Sequence, residues 1–380
     1  MSTLSVDTIT KADGSGSLTV PAESGTVVTT ASPSLGRRNL IINGAMQVAQ
    51  RGTSFTTDGF TVDRFYYQDL RNDEITKSIT QDSDAPAGFA NSLKIVATNP
   101  ETSWTTDEFV RFFYKIEAQD VQHLNYGTAD AVTTTLSFWV KSDVTGTYCV
   151  SFYNPDSGRR LTNTYTVNAA DTWEYKTVTV VGDTSGSINN DNGEGIQISF
   201  CLATGPSYTS TDSTSWVANS DGATFYGHDV AWGTTTNDYW QITGVQLEVG
   251  TVATPFEHIS YGEQLALCER YYQGYNFESY SGWPGAGRAN GNPYAIFSFP
   301  LRTTMRTAPS GTWLGTNNGM IVVRVSDGTT EEPTSIAIVG YSENAVSIRP
   351  ETTDFSTGTA LVALSSGGGN QMAFEVEAEL

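Results

Sequence analysis

Basic residues are few in this sequence. Twenty Lys and Arg stand against 41 Asp and Glu, a formal net charge of −21. Phosphate recognition needs clustered Lys and Arg, so no nucleic-acid partner is expected. The acidity reads as solubility and resistance to nonspecific association. Cysteine is as sparse. Cys149, Cys201 and Cys268 form an odd set without a CxxC pair, which excludes a disulfide framework. Cys149 and Cys201 lie in strand-like runs, "TYCVSFY" and "IQISFCLA", and fit buried reduced thiols. Three histidines, His123, His228 and His258, show neither HExxH nor metal-ligand spacing and read as surface or loop residues. There is no GxSxG elbow, phosphate loop or Gly-rich strand-to-helix turn. No apolar run approaches the ~20 residues that span a bilayer, so membrane insertion is not expected. The opening "MSTLSVDTITKADGSG" has neither the basic n-region nor the apolar h-region of a secretion signal. No cofactor or metal is expected.

What is present is β-forming. Hydrophobic residues make up 38% and aromatics 11%, enough for sizeable cores, while only 16% are charged. Thirty-six glycines accompany many Thr, Ser, Asn and Asp. That mixture predicts an all-β protein.

Residues 1–36 read as a separate leader of short alternating runs, "LSVDTIT", "GSLTV" and "GTVVTT", each too small for a core of its own. From 37 to 259, runs such as "DEFVRFFYKIEA", "TTTLSFWVKS", "GTYCVSFYN", "GIQISFCLA" and "YWQITGVQLEVG" are spaced as in an antiparallel sandwich or jelly roll. "SYGEQLALCERYYQ" predicts one short helix over 260–274, opened by the capping box Ser260/Glu263. Tyr261, Leu265, Cys268 and Tyr272 fall on one stripe of it, and Leu267 and Tyr271 on a second. Two apolar faces imply contact on two sides. Residues 275–380 carry further strand-like runs, "YAIFSFPL", "SIAIVGY" and "MAFEVEAEL" among them, and predict a second β-sandwich.

Aromatics in polar, Gly-rich loops carry the binding content. Trp216, Tyr226 and Trp232 lie in the long segment 203–238; Tyr280 and Trp283 lie in "ESYSGWPGAGRANGNPY", with Trp313 beyond it. An aromatic face on a sugar ring beside Asn and Asp groups makes a glycan site. For 203–238, burial at an interface weighs equally. Trp283 is expected to be exposed. "SINNDNGEG" (187–195) reads as a polar hairpin tip rather than a calcium loop. A glycosidase needs two carboxylates ~5–9 Å apart, a distance that sequence does not give.

"NLIINGAMQVAQRG", "TTTLSFWVKS", "DTWEYKTVTVV" and "ITGVQLEVG" together resemble the jelly-roll carbohydrate-binding modules, in which the first strand returns beside the closing one. "ITGVQLEVGTVATPFEHISYGEQLALCERYYQ", the opening "NLIINGAMQVAQRG", the leader "MSTLSVDTIT" and "FPLRTTMRTAPS" look like tail-fibre proteins of tailed bacteriophages, including those of marine cyanobacteria. The resemblance is specific over 37–310 and looser beyond. Where the sugar-binding modules often hold a structural calcium, this chain has Met46-Gln47 and Thr243-Gly244, which lack the charge that calcium prefers.

The resemblance implies a trimeric, non-enzymatic virion protein: a homotrimeric tail fibre, assembled in the host cytoplasm and carried on the virion tail. The leader 1–36 docks to a tail or adaptor protein. The helix residues Tyr261, Leu265, Cys268 and Tyr272 meet at the three-fold axis. The C-terminal domain attaches to a host surface glycan or protein receptor. From the aromatic-in-loop pattern, not from the resemblance, the receptor-binding residues are Tyr280, Trp283 and Trp313 in that domain and Trp216, Tyr226 and Trp232 in the segment 203–238. The alternatives are a tailspike depolymerase of host polysaccharide and a non-fibre virion component, such as a capsid decoration or tail adaptor.

Overall fold

The computed structural model describes residues 9–10, 17–18, 37–70, 76–100, 102, 104–277, 282–289, 294–315, 320–352, 360–365 and 372–380. The chain divides into two units, Met1–Arg38 and Asn39–Leu380. In the first, Ile9–Thr10 pairs antiparallel with Ser17–Leu18.

The second unit is all-β, with one α-helix among its described residues. Its first part is a jelly-roll sandwich of two antiparallel sheets. The first sheet runs, in spatial order, Val217–Ala218, Arg159–Val167, Gly146–Asn154, Glu194–Thr204, Phe109–Glu117, Phe65–Asp69 and Gly59–Phe60. The second runs Glu174–Val180, Thr134–Ser142, Tyr239–Val249, Ser92–Asn99, Thr76–Asp82 and Ser54–Phe55. Strand period two explains the core. Val110, Phe112, Tyr114 and Ile116 point inward from one strand and Leu136, Phe138 and Val140 from the facing sheet. Trp240 closes the centre, edge-on to Phe112 at 5.9 Å between ring centroids and donating from Nε1 to the Tyr165 hydroxyl at 3.2 Å.

The resemblance to the jelly-roll modules makes the opening stretch "NLIINGAMQVAQRG" the entry strand, and the structure corrects this. It lies along the closing strand Tyr239–Val249 as an irregular segment with a tight turn. Leu40 N donates to Leu247 O at 2.9 Å, and Asn39 exchanges side-chain hydrogen bonds with Val245 and Leu247. The cause of the turn is Asn43, buried at φ +61°, a conformation Asn tolerates. Its Oδ1 accepts from the N–H groups of Gln47 and Val48, and its Nδ2 donates to Val48 O and Asp63 O. Gly44 follows because a Cβ there would sit 2.0 Å from Val245 O. Met46 is buried in the sandwich core, and Thr243 donates from Oγ1 to Asn91 O.

The helix spans Tyr261–Glu269, with Ser260 Oγ accepting from Glu263 N at its start. It is shorter than expected. Arg270 ends it, and Tyr272 begins the strand Tyr272–Phe277. Cys268 is buried in the sandwich core, with Leu265 and Leu267 packed against it. The helix's apolar stripes thus meet this chain's own core. Tyr272 is also buried, donating from its hydroxyl to Glu375 at 2.7 Å. Cys268 and Tyr272 therefore cannot serve as trimer contacts, because each is covered within its own chain. Tyr261 is 57% exposed.

A second sandwich follows. Tyr272–Phe277, Met372–Glu377 and Ser310–Trp313 form one sheet. The other runs Thr330–Glu331, Met320–Arg324, Ala360–Ser365, Gly282–Ala289, Ala295–Pro300, Ala345–Glu351 and Ser335–Ser342. Tyr275, Phe297, Phe299, Met305 and Phe374 fill its core. The segment "FPLRTTMRTAPS" is the junction. Met305 enters the second core, Arg302 pairs with Glu269 at 3.0 Å, and Arg306 donates to the carbonyls of Ala378 and Glu379. Arg270 adds a bidentate pair to Glu117, at 2.7 and 2.8 Å.

Candidate functional site

The outer face of the first sheet holds the site, and the ladder register builds it. One row across the strands reads Tyr66, Phe113, Ser199, Ser151 and Thr162. The row on one side reads Lys115, Gln197, Tyr153 and Arg160; on the other side Gln68, Arg111 and Cys201 lie in register.

Aromatic rings and cations alternate over this face. Tyr66 stacks on Phe113 with centroids 4.9 Å apart. The Arg111 guanidinium lies 4.5 Å from the Phe113 centroid, and that of Arg160 4.6 Å from the Tyr153 centroid, both within cation–π range. Gln68 Oε1 accepts from Arg111 Nε at 2.8 Å. Arg160 donates from Nε to Asn219 Oδ1 and from Nη1 to Ser151 Oγ, each at 2.8 Å. Lys115 is paired with Glu194 at 2.7 Å. Phe113, Gln197, Ser199, Ser151 and Arg160 are buried although they point away from the core; Tyr66, Gln68, Arg111, Lys115 and Tyr153 are half-buried. The rows thus form a partly sheltered face, hereafter the recess, rather than an open sheet.

The long segment after Thr204 forms one side of it. Its 3₁₀ turns Pro206–Tyr208 and Asp221–Ala223 and the two-residue strand Val217–Ala218 fold back over the outer face. Phe225 packs with Phe109, Cys149 and Cys201 in a small buried cluster, with Tyr208 against it. Ser213 and Thr162 share a hydroxyl hydrogen bond of 2.7 Å. His228 locks the loop's return: its Nδ1 accepts from Cys149 N at 3.2 Å and its Nε2 meets Val230 O at 2.8 Å. His123 and His258 are exposed, and all three cysteines are free and buried.

Burial holds the His228 imidazole in its neutral form, with the pKa pushed down to about 4. Protonating Nδ1 would also set it against the Cys149 N–H. The unfolded chain takes up this proton near the ordinary value of about 6.5 and the folded one only near 4. Stability is therefore complete above pH ~6.5 and falls as the pH drops towards 4. We expect the wild-type melting temperature to decline over that interval and His228→Gln to flatten this part of the profile, measured by calorimetry from pH 7 to 4. An unchanged profile would contradict the assignment.

Arg111 and Arg160 are each pushed down to about 10, first by burial; for Arg111 the charge of Arg160 adds to it. Both remain cationic at neutral pH. Neither has a carboxylate within salt-bridge distance, and both Nη atoms of Arg111 are without a hydrogen-bond partner among the described residues.

The expected receptor-binding residues fall elsewhere. Trp232 is 0% exposed in the sandwich core, so its assignment as a receptor contact is corrected. Trp216 packs against that core, its Nε1 donating to Val181 O at 2.7 Å and its ring edge-on to Tyr126. Trp313 packs against the second core. Tyr226 is half-buried. Trp283 lies in the strand Gly282–Ala289, not in a loop, and its side chain lies outside the described residues, as does Tyr280. The recess was missed because its members come from five strands. One local signal was available: Arg111, Phe113 and Lys115 alternate in "FVRFFYKIE" and so share a face.

No protein-family model matches the chain, and no curated protein matches it. Among solved structures, it is similar to the enzymatically active domain of tailspike protein 4 of bacteriophage CBA120, at 12% identity over 56% of this chain with a TM-score of 0.31. The match spans about a fifth of that structure's length, 21%. It is also similar to the family 11 carbohydrate-binding module of a cellulosomal cellulase of Clostridium thermocellum, at 14% identity over 53% of this chain and 98% of that one, TM-score 0.28. A family 22 module of Xyn10B from the same organism matches at 12% over 55% and 100%, TM-score 0.28. Likenesses this distant carry no functional assignment.

Proposed function

We propose that this chain is a non-enzymatic attachment protein that holds a surface glycan in the recess on the outer face of the first sheet. The observation that carries the reading is the pair of half-buried rings, Tyr66 and Tyr153, in adjacent rows and separated by two strands, with the polar groups of Gln197 and Lys115 between them and the guanidiniums of Arg111 and Arg160 at the flanks. Rings offer apolar faces to a sugar, and the polar groups fix its hydroxyls. Binding rather than cleavage is favoured because Glu194, the carboxylate among these side chains, is tied to Lys115.

The sequence resemblance to tail fibres supplies the setting: a homotrimer on a phage virion tail, with residues 1–36 docked to a tail or adaptor protein. Three copies would bind multivalently, so weak single contacts with the host surface add up. The test is a glycan array probed with the full chain. Binding to at least one saccharide class is expected, and Tyr66→Ala and Tyr153→Ala should each weaken it by roughly fivefold, about 1 kcal/mol. No binding, or binding indifferent to both substitutions, would contradict the proposal. A solution mass of one chain at micromolar concentration would contradict the trimer.

A further inference from the structure

The recess departs from the electrostatics of its own protein. The chain carries a net charge of −21, yet two guanidiniums here, Arg111 and Arg160, have no carboxylate within salt-bridge distance among the described residues. Several other buried or half-buried arginines are paired with carboxylates: Arg51 and Arg64 with Glu379, Arg159 with Asp183, Arg270 with Glu117. Arg306 instead spends its donors on three backbone carbonyls, and Arg349 lies over the Tyr294 ring. Glu194 is 2.7 Å from Lys115 and acts on Arg111 and Arg160 only from beyond salt-bridge distance. Asp221 on the covering loop acts on Arg160 only at longer range. An unpaired cation half out of water is costly unless an anion completes it.

The geometry narrows the anion. Gln68 holds Arg111 by Nε, so the guanidinium plane is set while both Nη groups stay unbonded. Arg160 is fixed the same way, through Asn219 and Ser151, with Nη2 left unbonded. A guanidinium whose planar fork is positioned in advance matches the two oxygens of a carboxylate. The rings of Tyr66 and Tyr153 give the rest of the ligand a surface to lie on.

Resting on the glycan-binding reading above, we infer that the saccharide bound in this recess is acidic: an oligosaccharide bearing a uronate-type carboxylate, received by Arg111, with Arg160 a second cation on the same face. Neutral sugars and sulfated sugars are the competing occupants.

Paired ligands that differ only in charge test this. The full chain is titrated with oligogalacturonates and their methyl esters, with oligo-alginates, with sulfated oligosaccharides and with neutral ones. A carboxylated saccharide should bind, and for the oligogalacturonates methyl esterification should weaken binding by about tenfold or more, as loss of a charge-assisted pair requires. Arg111→Gln should lower affinity by a similar factor and erase the preference for acid over ester; Arg111→Lys should keep part of it. Affinity should fall as salt rises. Neutral or esterified ligands binding as tightly as acidic ones would overturn the inference and leave the glycan reading standing, and so would binding of sulfated saccharides alone. Failure to bind any saccharide would overturn both. The acid–ester comparison uses the unaltered protein, so it decides the matter even if Arg111→Gln folds poorly.

Discussion

Arg64→Met is expected to lower the free energy of unfolding by about 3 kcal/mol. Arg64 is buried beside the sandwich, at φ +76°, and pairs with Glu379 near the chain's last residue. Its Nη2 donates to Lys115 O at 2.8 Å, and its guanidinium lies 3.4 Å from the centroid of Tyr271. Burial alone would disfavour that charge; Glu379, with Tyr114 and Tyr271, outweighs it and holds the group protonated. Removing the arginine leaves the Glu379 carboxylate, 3% exposed, with Arg51 at 3.2 Å as its remaining cation. That surviving contact places the loss at the low end of what a broken buried pair costs. Glu379→Leu should cost a similar amount by stranding Arg64. The double variant Arg64→Met/Glu379→Leu should recover much of the loss, because neither charge is then left buried without its partner. Urea denaturation of the four proteins measures this cycle. Additive losses would show that the two side chains do not act as a pair.

Trp240→Ala is expected to cost about 3–5 kcal/mol, the range for truncating a fully buried aromatic. Trp240 has no solvent exposure and touches both sheets, with Phe112 and Phe200 each at 5.9 Å between ring centroids. Its loss opens a cavity and also removes the donor to the buried Tyr165 hydroxyl. Trp240→Phe, which keeps much of the ring volume but not the N–H, should cost clearly less. Calorimetry of both variants separates the two effects. Equal losses would mean that the hydrogen bond, not the volume, dominates.

Much of the fold was legible because it rests on local pattern. Alternation in "TTTLSFWVKS" and "GTYCVSFYN" places Leu136, Phe138, Tyr148 and Val150 in the core, where they are found. The Ser260 cap was legible because its hydrogen bond spans only three residues. Three things were not. The opening segment reads as a strand, but Asn43 satisfies its own turn through four side-chain hydrogen bonds, two of them to Val48, and so bends the chain away from a ladder. The helical stripe runs on to Tyr272, but Tyr271 and Tyr272 are buried, with Arg64 over the first ring and Arg51 over the second, 3.7 Å from its centroid. Trp283 reads as a loop residue because Gly and Pro surround it. The strand there accommodates them through an irregularity between Gly282 and Ala286.

The candidate site was the least legible part. Aromatics draw the eye to the polar loops, yet Trp216 and Trp232 anchor the long loop to the core. The recess instead draws on side chains that are distant in sequence, and cross-strand register alone makes them neighbours. The covering loop has a structural purpose visible in Phe225, which seals Cys149 and Cys201 at one end of the same face.

The most direct measurement is a crystal structure of the full chain with a saccharide selected on the array. The account predicts the sugar in the recess of the first sheet, its ring against Tyr66 or Tyr153 and a charged group within hydrogen-bond distance of the Arg111 guanidinium. A saccharide seated only on residues 275–380, with Arg111 and Arg160 untouched, would contradict it.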